Sequence, residues 1–348
     1  MAQASMALRA RQGRPLWPRL WGLAVLVGLM LLGGCATPQL AGLQRERPND
    51  VPAVAELGRV PFFPQDEFQC GPAALAMVAQ FAGLALTPDE LKPQVFLPDR
   101  QGSLQIEMLV TARRQGLVAL TLEPQLHALL RQVAAGQPVV VLLNLSLPWV
   151  PLWHYAVVVG YDLPGQTIVL HSGRQERMAM SLPTFERTWA RSQHWAMVAL
   201  PPTQLPAQAQ AMPWLQSAAA MERVQPEAAG QAYATAVKAW PAEPAAWLGQ
   251  GNAQYAQGRL VQAGDAFEAA TRLAPDFADA WNNLAQVRSE QKRWGEAAQA
   301  IERAVAVGGP RLARYRQLQL LIEEGRAVQA SLKGRATTTP PIPVTARP

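Results

Sequence analysis

Trp247 and Trp281 stand 34 residues apart, and the same interval separates Gly251 from Ala285, Ala263 from Ala297, Phe267 from Ile301 and Ala270 from Ala304. One interval earlier the pattern continues in Ala229, Tyr233, Ala236 and Pro241, the last pairing with Pro275. One interval later Tyr315 falls where Trp281 stands. A fixed period of this length means one small helical unit used repeatedly. Gly251, Ala263 and Ala270 let paired helices approach closely, Trp and Phe fill the gaps, and Pro275 stops a helix. Each pair can bury its apolar face only against a neighbour, so about three stacked units are needed. The pattern predicts an all-helical array over 213–335, strongest at Trp247–Pro275, clear at Trp281–Gly309 and degenerate at 213–241, with a capping helix at Arg311–Ala330. The Thr- and Pro-rich residues 336–348 are expected to be disordered.

The order Trp, small residue, Ala, aromatic, Ala, Pro resembles the tetratricopeptide repeat. The resemblance implies a concave face that binds a peptide or another protein. A purely structural extension is the alternative. Ahead of the array, Pro201-Pro-Thr-Gln-Leu-Pro206 and the Ala/Gln run up to Met212 mark a linker over 203–212.

Residues 59–202 read differently. Cys70-Gly-Pro72 opens the apolar run Ala73–Phe81, and Gly83 can end that helix. Thr87-Pro-Asp-Glu90 reads as an N-cap with a first-turn proline and acids, followed by a short helix broken by Pro93 and Pro98. Ser103 can cap the next helix, which stops at Gly116. Leu117–Leu122 reads as a strand and Gln125–Ala135 as a helix. Then come strand-type runs at Pro138–Asn144, Tyr155–Tyr161, Thr167–Leu170 and Trp195–Leu200. Helices first and strands afterwards predict an α+β domain with an antiparallel sheet packed on the helical half.

Cys70 is one of two cysteines in 348 residues and sits at a helix N-terminus. Free N–H groups and the helix dipole favour a thiolate there, so its pKa is expected to fall below that of a free cysteine. A buried cysteine acting as a small hydrophobe is the other reading. His154 opens an apolar strand, where it is either a base or a strand-end side chain satisfied by backbone. Together, Gln65–Pro72 ahead of an Ala-rich helix, Gln101-Gly-Ser-Leu104 and His154-Tyr-Ala-Val-Val-Val-Gly160 resemble the papain-like fold. Within it they resemble the bacteriocin-processing (double-glycine leader) peptidases and their lipoprotein relatives. The resemblance implies cysteine-dependent amide hydrolysis. Cys70 would attack the carbonyl carbon, His154 would move the proton, and the Cys70 N–H with a Gln amide would hold the oxyanion. Gln65 lies five residues before Cys70 where the family has six, and Gln69 is adjacent. Gln65 is preferred, because a loop absorbs one residue. The family places Asp or Asn after the next strand to orient the histidine. Here His171 takes that place, with Asp162 and Ser172 as alternatives. His127 and His194 lack such context and are read as structural or exposed. Phe62, Phe63, Phe68, Trp149 and Trp153 cluster in sequence near the site, as core or as the rim of a peptide groove.

At the N-terminus, Arg9–Arg19 is basic, Leu20–Leu32 is apolar and shorter than a typical membrane span, and Gly33-Gly-Cys35 follows. This resembles a bacterial lipobox. It implies a signal peptide over 1–34, a lipid on Cys35 and, with Ala36 next, an outer-membrane anchor facing the periplasm. Residues 35–58 read as a tether. A lipidated Cys35 leaves Cys70 without a disulfide partner, and no second Cys or nearby His gives it metal-ligand spacing. No cofactor or metal is expected. Residues 1–34 hold four arginines and no acid, so removing them takes the formal charge from +6 to +2, which argues against a nucleic-acid partner. Three functions fit: a cysteine peptidase with peptide or protein substrates, a papain-like adaptor that only binds peptide, and an amidase or transferase acting on a cell-wall peptide.

Overall fold

The computed structural model describes residues 37–46, 48–65 and 68–337. Residues 1–36, on which the expected signal peptide and the lipidated Cys35 fall, and residues 338–348 lie outside the described residues. The chain begins with α1 (Pro38–Arg45) and β1 (Val54–Glu56). These two elements correct the expectation of a tether. Buried Glu186 accepts hydrogen bonds from the free backbone N–H groups of Gln39 and Leu40, at 2.9 and 2.8 Å, and Leu40 is buried. A carboxylate at a helix N-terminus satisfies orphan donors and opposes the dipole favourably. β1 in turn pairs with β6, described below.

α2 (Cys70–Phe81) and α3 (Pro88–Val95) follow. α3 opens with a full Thr87–Glu90 capping box and runs through Pro93 rather than ending there. β2 (Phe96–Leu97), a single 3₁₀ turn and β3 (Gly102–Ser103) form a small hairpin ahead of α4 (Gln105–Arg114). Ser103 does not cap α4: the N-cap residue is Leu104, without a side-chain bond. The chain continues through β4 (Val118–Thr121), α5 (Leu126–Ala134), β5 (Val139–Asn144), β6 (Trp153–Asp162), β7 (Thr167–Ser172), β8 (Gln175–Ser181), α6 (Leu182–Ala190) and β9 (Ala196–Leu200). The sheet order is β4-β9-β5-β6-β7-β8, with β1 also on β6, and every pairing is antiparallel.

Both faces of the sheet are covered, so its central strands read as unbroken apolar runs. Alternation divides their side chains. Val140, Leu142, Tyr155, Val157 and Val159 face α2–α4. Val139, Val141, Leu143, Ala156 and Val158 face α5, α6 and α1. The result is the α+β architecture expected, with the helical half on one side of the sheet and a second helical layer on the other.

Seven helices follow among the described residues: α7 (Ala211–Met221), α8 (Pro226–Ala239), α9 (Pro244–Ala256), α10 (Leu260–Leu273), α11 (Ala278–Glu290), α12 (Trp294–Val307) and α13 (Leu312–Thr337). The 34-residue period becomes packing. The ring of Tyr233 lies against Gly249, and the ring of Phe267 lies against Gly251. A Cβ on Gly249 would fall inside the van der Waals surface of the buried Tyr233 ring. Gly249→Ala is therefore expected to destabilise the chain by about 1–3 kcal/mol through overpacking, read as a lower denaturant midpoint at unchanged slope.

The first helical pair departs from the repeat because it has another partner. Trp214, Leu215, Ala218 and Met221 of α7 share one core with Val118, Leu120 and Leu200 of the sheet. Ser217 donates to the Ala119 carbonyl at 3.2 Å, and Arg113 donates both to Ser217 and to Ala119. α7 thus covers the β4 edge of the sheet, and its apolar residues answer to strands as well as to α8. Among the described residues no helix is long and apolar enough to cross a membrane.

Candidate active site

The site lies where the N-terminus of α2 meets the starts of β6 and of the loop after β7. Gly71 is required by the approach of β3. A Cβ there would come within 2.6 Å of the Ser103 Cβ. This contact lets Cys70 sit at the mouth of a cleft of about 830 Å³ that also takes in Gln65, Ser103, His154 and Gly173.

Three of the sequence-predicted residues, Gln65, Cys70 and His154, line this cleft together. Gln65 is held at both ends. Its backbone N–H donates to the Gly173 carbonyl and its Oε1 accepts from the Gly173 N–H, each at 2.9 Å. Its Nε2 makes one long contact of 3.4 Å to the Tyr155 carbonyl. With the oxygen anchored, the amide nitrogen keeps a second proton to offer. Gln69 is the N-cap residue of α2, and its side chain makes no capping bond.

His171 is not brought to His154. It pairs across the ladder with Val157. Its Nε2 is 3.1 Å from the Val60 carbonyl, its Nδ1 accepts from the Arg177 N–H, and Phe62 packs edge-on against its ring. Both ring nitrogens are used, so the expectation that His171 orients His154 is corrected. The partner is Ser172, whose Oγ lies 2.8 Å from His154 Nε2. Strand alternation gives the reason: one residue along β7 turns the side chain to the opposite face. Asp162 is a turn residue, its Oδ1 accepting from the Gly165 N–H at 2.9 Å. His127 contacts Asp50 at 3.2 Å and His194 packs edge-on against Trp189, both away from the cleft.

The electrostatics differ from the expected thiolate. Burial pushes the Cys70 thiol above the ordinary cysteine value, although hydrogen bonds from the backbone N–H groups of Tyr155, Gly71 and Cys70 itself act in the opposite direction. Burial also lowers His154 to about 4. The helix N-terminus is present, but desolvation outweighs it. At neutral pH the pair is thiol and neutral imidazole. In the tautomer whose Nε2–H donates to the Ser172 hydroxyl, Nδ1 is the nitrogen that can accept a proton. The sequence pointed to Ser103 only as a helix cap, not as a residue of the site. Its hydroxyl is buried without a hydrogen-bond partner on the cleft wall, and the Gln101-Gly-Ser-Leu104 stretch was its only signal. Among the described residues no cluster of His, Cys, Asp or Glu could hold a metal ion.

Comparison with known proteins finds family matches in both halves of the chain. The model of the Peptidase C39-like family matches residues 58–197, and two tetratricopeptide-repeat models match 215–276 and 254–322. Similar solved structures include a C39-like peptidase from Bacillus anthracis, 18% identical, with a TM-score of 0.36 over 43% of this chain and 98% of that one. The Sgt2 TPR domain from Aspergillus fumigatus is 21% identical, with a TM-score of 0.33 over 40% of this chain and 91% of its own. The TPR2B domain of yeast Sti1 in complex with pHsp70 is 16% identical, with a TM-score of 0.30 over 32% and 97%. No curated protein matches the chain. Residues 58–197 thus form a C39-like peptidase-family domain, and the chain continues into C-terminal tetratricopeptide repeats.

Proposed function

We propose that the chain is a lipid-anchored periplasmic cysteine peptidase whose repeat array recruits or orients a protein substrate or partner. The observation that carries this reading is the convergence of Cys70, the Gln65 amide and a Ser172-fixed His154 on one cleft. In the reaction, His154 Nδ1 takes the thiol proton as the Cys70 sulfur bonds to the carbonyl carbon. The oxyanion is held by the Cys70 backbone N–H and the free Gln65 N–H. Collapse breaks the C–N bond, the proton passes to the leaving amine, and a thioester remains on Cys70. Water, deprotonated by His154, then releases the acid. The address rests on the basic, apolar, Gly-Gly-Cys35 sequence at the N-terminus.

The test is the pH profile of cleavage of a peptide library by the full chain. The base form of His154 exists above its folded pKa of about 4 and is lost as pH falls through it. The acid limb of kcat/KM is therefore expected near pH 4, well below the 6.5 of an exposed histidine, and Cys70→Ala abolishes the signal. An acid limb at 6.5 overturns the neutral-pair mechanism. A binding-only adaptor is the second reading. It is favoured by the hydroxyl that stands where a carboxylate is expected and by the raised thiol, and it is the one left if no peptide is cleaved.

A further inference from the structure

The stretch from the end of β5 into the first residue of β6, Leu145-Ser-Leu-Pro-Trp-Val-Pro-Leu-Trp153, carries no charge. It holds large apolar side chains in solvent: Trp149 is 75% exposed, Leu152 58% and Trp153 50%. Unsupported apolar loops collapse onto a protein, but this one is held open. Buried Asn144 accepts from the backbone N–H groups of Ser146 and Leu152, each at 3.0 Å. The Leu145 N–H donates to the Leu152 carbonyl at 2.9 Å, the Val150 N–H to Leu147 at 3.1 Å, and Arg191 donates to the Asn144 carbonyl at 3.1 Å. Such bracing fixes the loop's shape before any ligand arrives, which lowers the ordering cost of binding. A contiguous apolar surface kept in water marks an interaction site.

Its position says with what. Leu145, Leu152 and Trp153 line the same cleft as Cys70 and His154, and Phe68 and Leu104 line it with them from separate parts of the chain. Apolar side chains from three separate segments therefore border the nucleophile in a concave space. The cleft volume matches that of a small-ligand pocket, room for a few residues of extended chain. Trp149 and Val150, also exposed, lie outside the cleft lining and are the residues a bilayer contact would use instead.

Building on the peptidase reading, we infer that the substrate is an extended peptide carrying bulky apolar side chains beside the bond that Cys70 attacks. The specificity is set by Leu152 on the β5–β6 loop, by Trp153 at the start of β6 and by Leu104 and Phe68 elsewhere on the cleft wall. The chemistry is apolar burial beside the reacting carbonyl, so discrimination grows with each methylene removed from water, about tenfold or more for each well-seated group.

The experiment uses the full chain in detergent. Cleavage of a randomised peptide library is read by mass spectrometry for the unaltered chain, Leu152→Ser, Leu104→Ser and Trp149→Ser. In parallel, an apolar hexapeptide, Ala-Leu-Phe-Leu-Gly-Ala, and its counterpart with serine at the Leu and Phe positions are titrated onto Cys70→Ala. Cleaved peptides are expected to be enriched about tenfold in Leu, Ile, Phe and Met near the cut. Leu152→Ser and Leu104→Ser are expected to erase most of that enrichment, and Trp149→Ser, outside the cleft lining, to retain both the enrichment and the cleavage. Cleavage without side-chain preference overturns the inference and leaves the peptidase reading standing. No cleavage, with the apolar hexapeptide binding about tenfold tighter than its serine counterpart in a Leu152-dependent manner, overturns the peptidase reading and with it the inference as a statement about a cleaved bond, leaving the cleft an apolar peptide-binding site. A polarity-sensitive fluorophore at Trp149→Cys, in a Cys35→Ser, Cys70→Ala chain, reports the remaining occupant. If it enters vesicles of phosphatidylethanolamine and phosphatidylglycerol while neither peptide titration shows a preference, the loop is a membrane contact and the inference is overturned.

Discussion

His154→Ala is expected to lower kcat/KM for peptide cleavage by about 10²–10⁴-fold, the usual contribution of a positioned acid–base group. The effect is expected to be large because the nucleophile has no other help. Burial holds the Cys70 thiol above its ordinary value, so the thiolate is scarce at neutral pH and the proton must leave during attack. Neutral His154, low at about 4, is free to take it. Ser172→Ala removes the one hydrogen bond seen on His154 Nε2. It is expected to cost less, about tenfold, through loss of ring orientation alone, since a hydroxyl carries no charge to stabilise an imidazolium. Ser172→Asp separates orientation from charge: a carboxylate beside the ring raises the His154 pKa, so the acid limb of the profile moves above pH 4. Steady-state kinetics over pH 3–9 on the four chains checks all of this. Equal losses for His154→Ala and Ser172→Ala would mean that the serine does more than aim the ring.

Trp214→Ala is expected to destabilise the N-terminal domain as much as the repeats, by about 3–5 kcal/mol. That is a large share of the total stability of an ordinary domain. Trp214 is fully buried, and its indole N–H donates to the Ala232 carbonyl at 2.8 Å. The side chain belongs to the core that also holds Val118, Leu120 and Leu200. Removing residues 203–348 would strip this cover from β4 and leave the buried carbonyl of Ala119 without its Ser217 partner. The truncated chain is expected to show exposed apolar surface, read by dye binding and loss of the near-ultraviolet circular dichroism of packed aromatics. The full chain is expected to unfold without a stable intermediate in which α7 is detached from the sheet. Two well-separated denaturant transitions, one insensitive to Trp214→Ala, would show that the two halves fold independently.

The sequence made much of this legible because its signals were periodic and local. The recurrence from Trp247 to Trp281 predicts paired helices, and the apolar runs at Pro138–Asn144 and Tyr155–Tyr161 predict strands, observed at Val139–Asn144 and Trp153–Asp162. What escaped it depended on distant contacts. α1 is a short polar helix with one buried residue, Leu40, and is held by Glu186, 146 positions away. The choice between His171 and Ser172 turned on a single step along a strand, which motif counting does not resolve and strand alternation does. The shift of Cys70 was misjudged for a related reason. A helix N-terminus is visible in sequence, whereas the desolvation that outweighs it comes from the folded surroundings. The degenerate first repeat was visible as degeneracy, but its cause, a sheet edge under α7, was not.

The docking of α1 changes how far the molecule can work from an anchor. A free segment over residues 35–58 would act as a leash spanning up to about 80 Å when extended, enough to let the cleft sample a deep shell of solvent. With Leu40 buried and the start of the helix held by Glu186, the length from Thr37 onward adds nothing to that reach, and the two covalent steps from Cys35 to Thr37 can span at most about 7 Å. Under the lipidation proposed for Cys35, the cleft would ride at a nearly fixed height above the bilayer. Its clientele would then be chosen by geometry before chemistry: chains whose exposed segments pass at that height, or that the repeat array draws down to it.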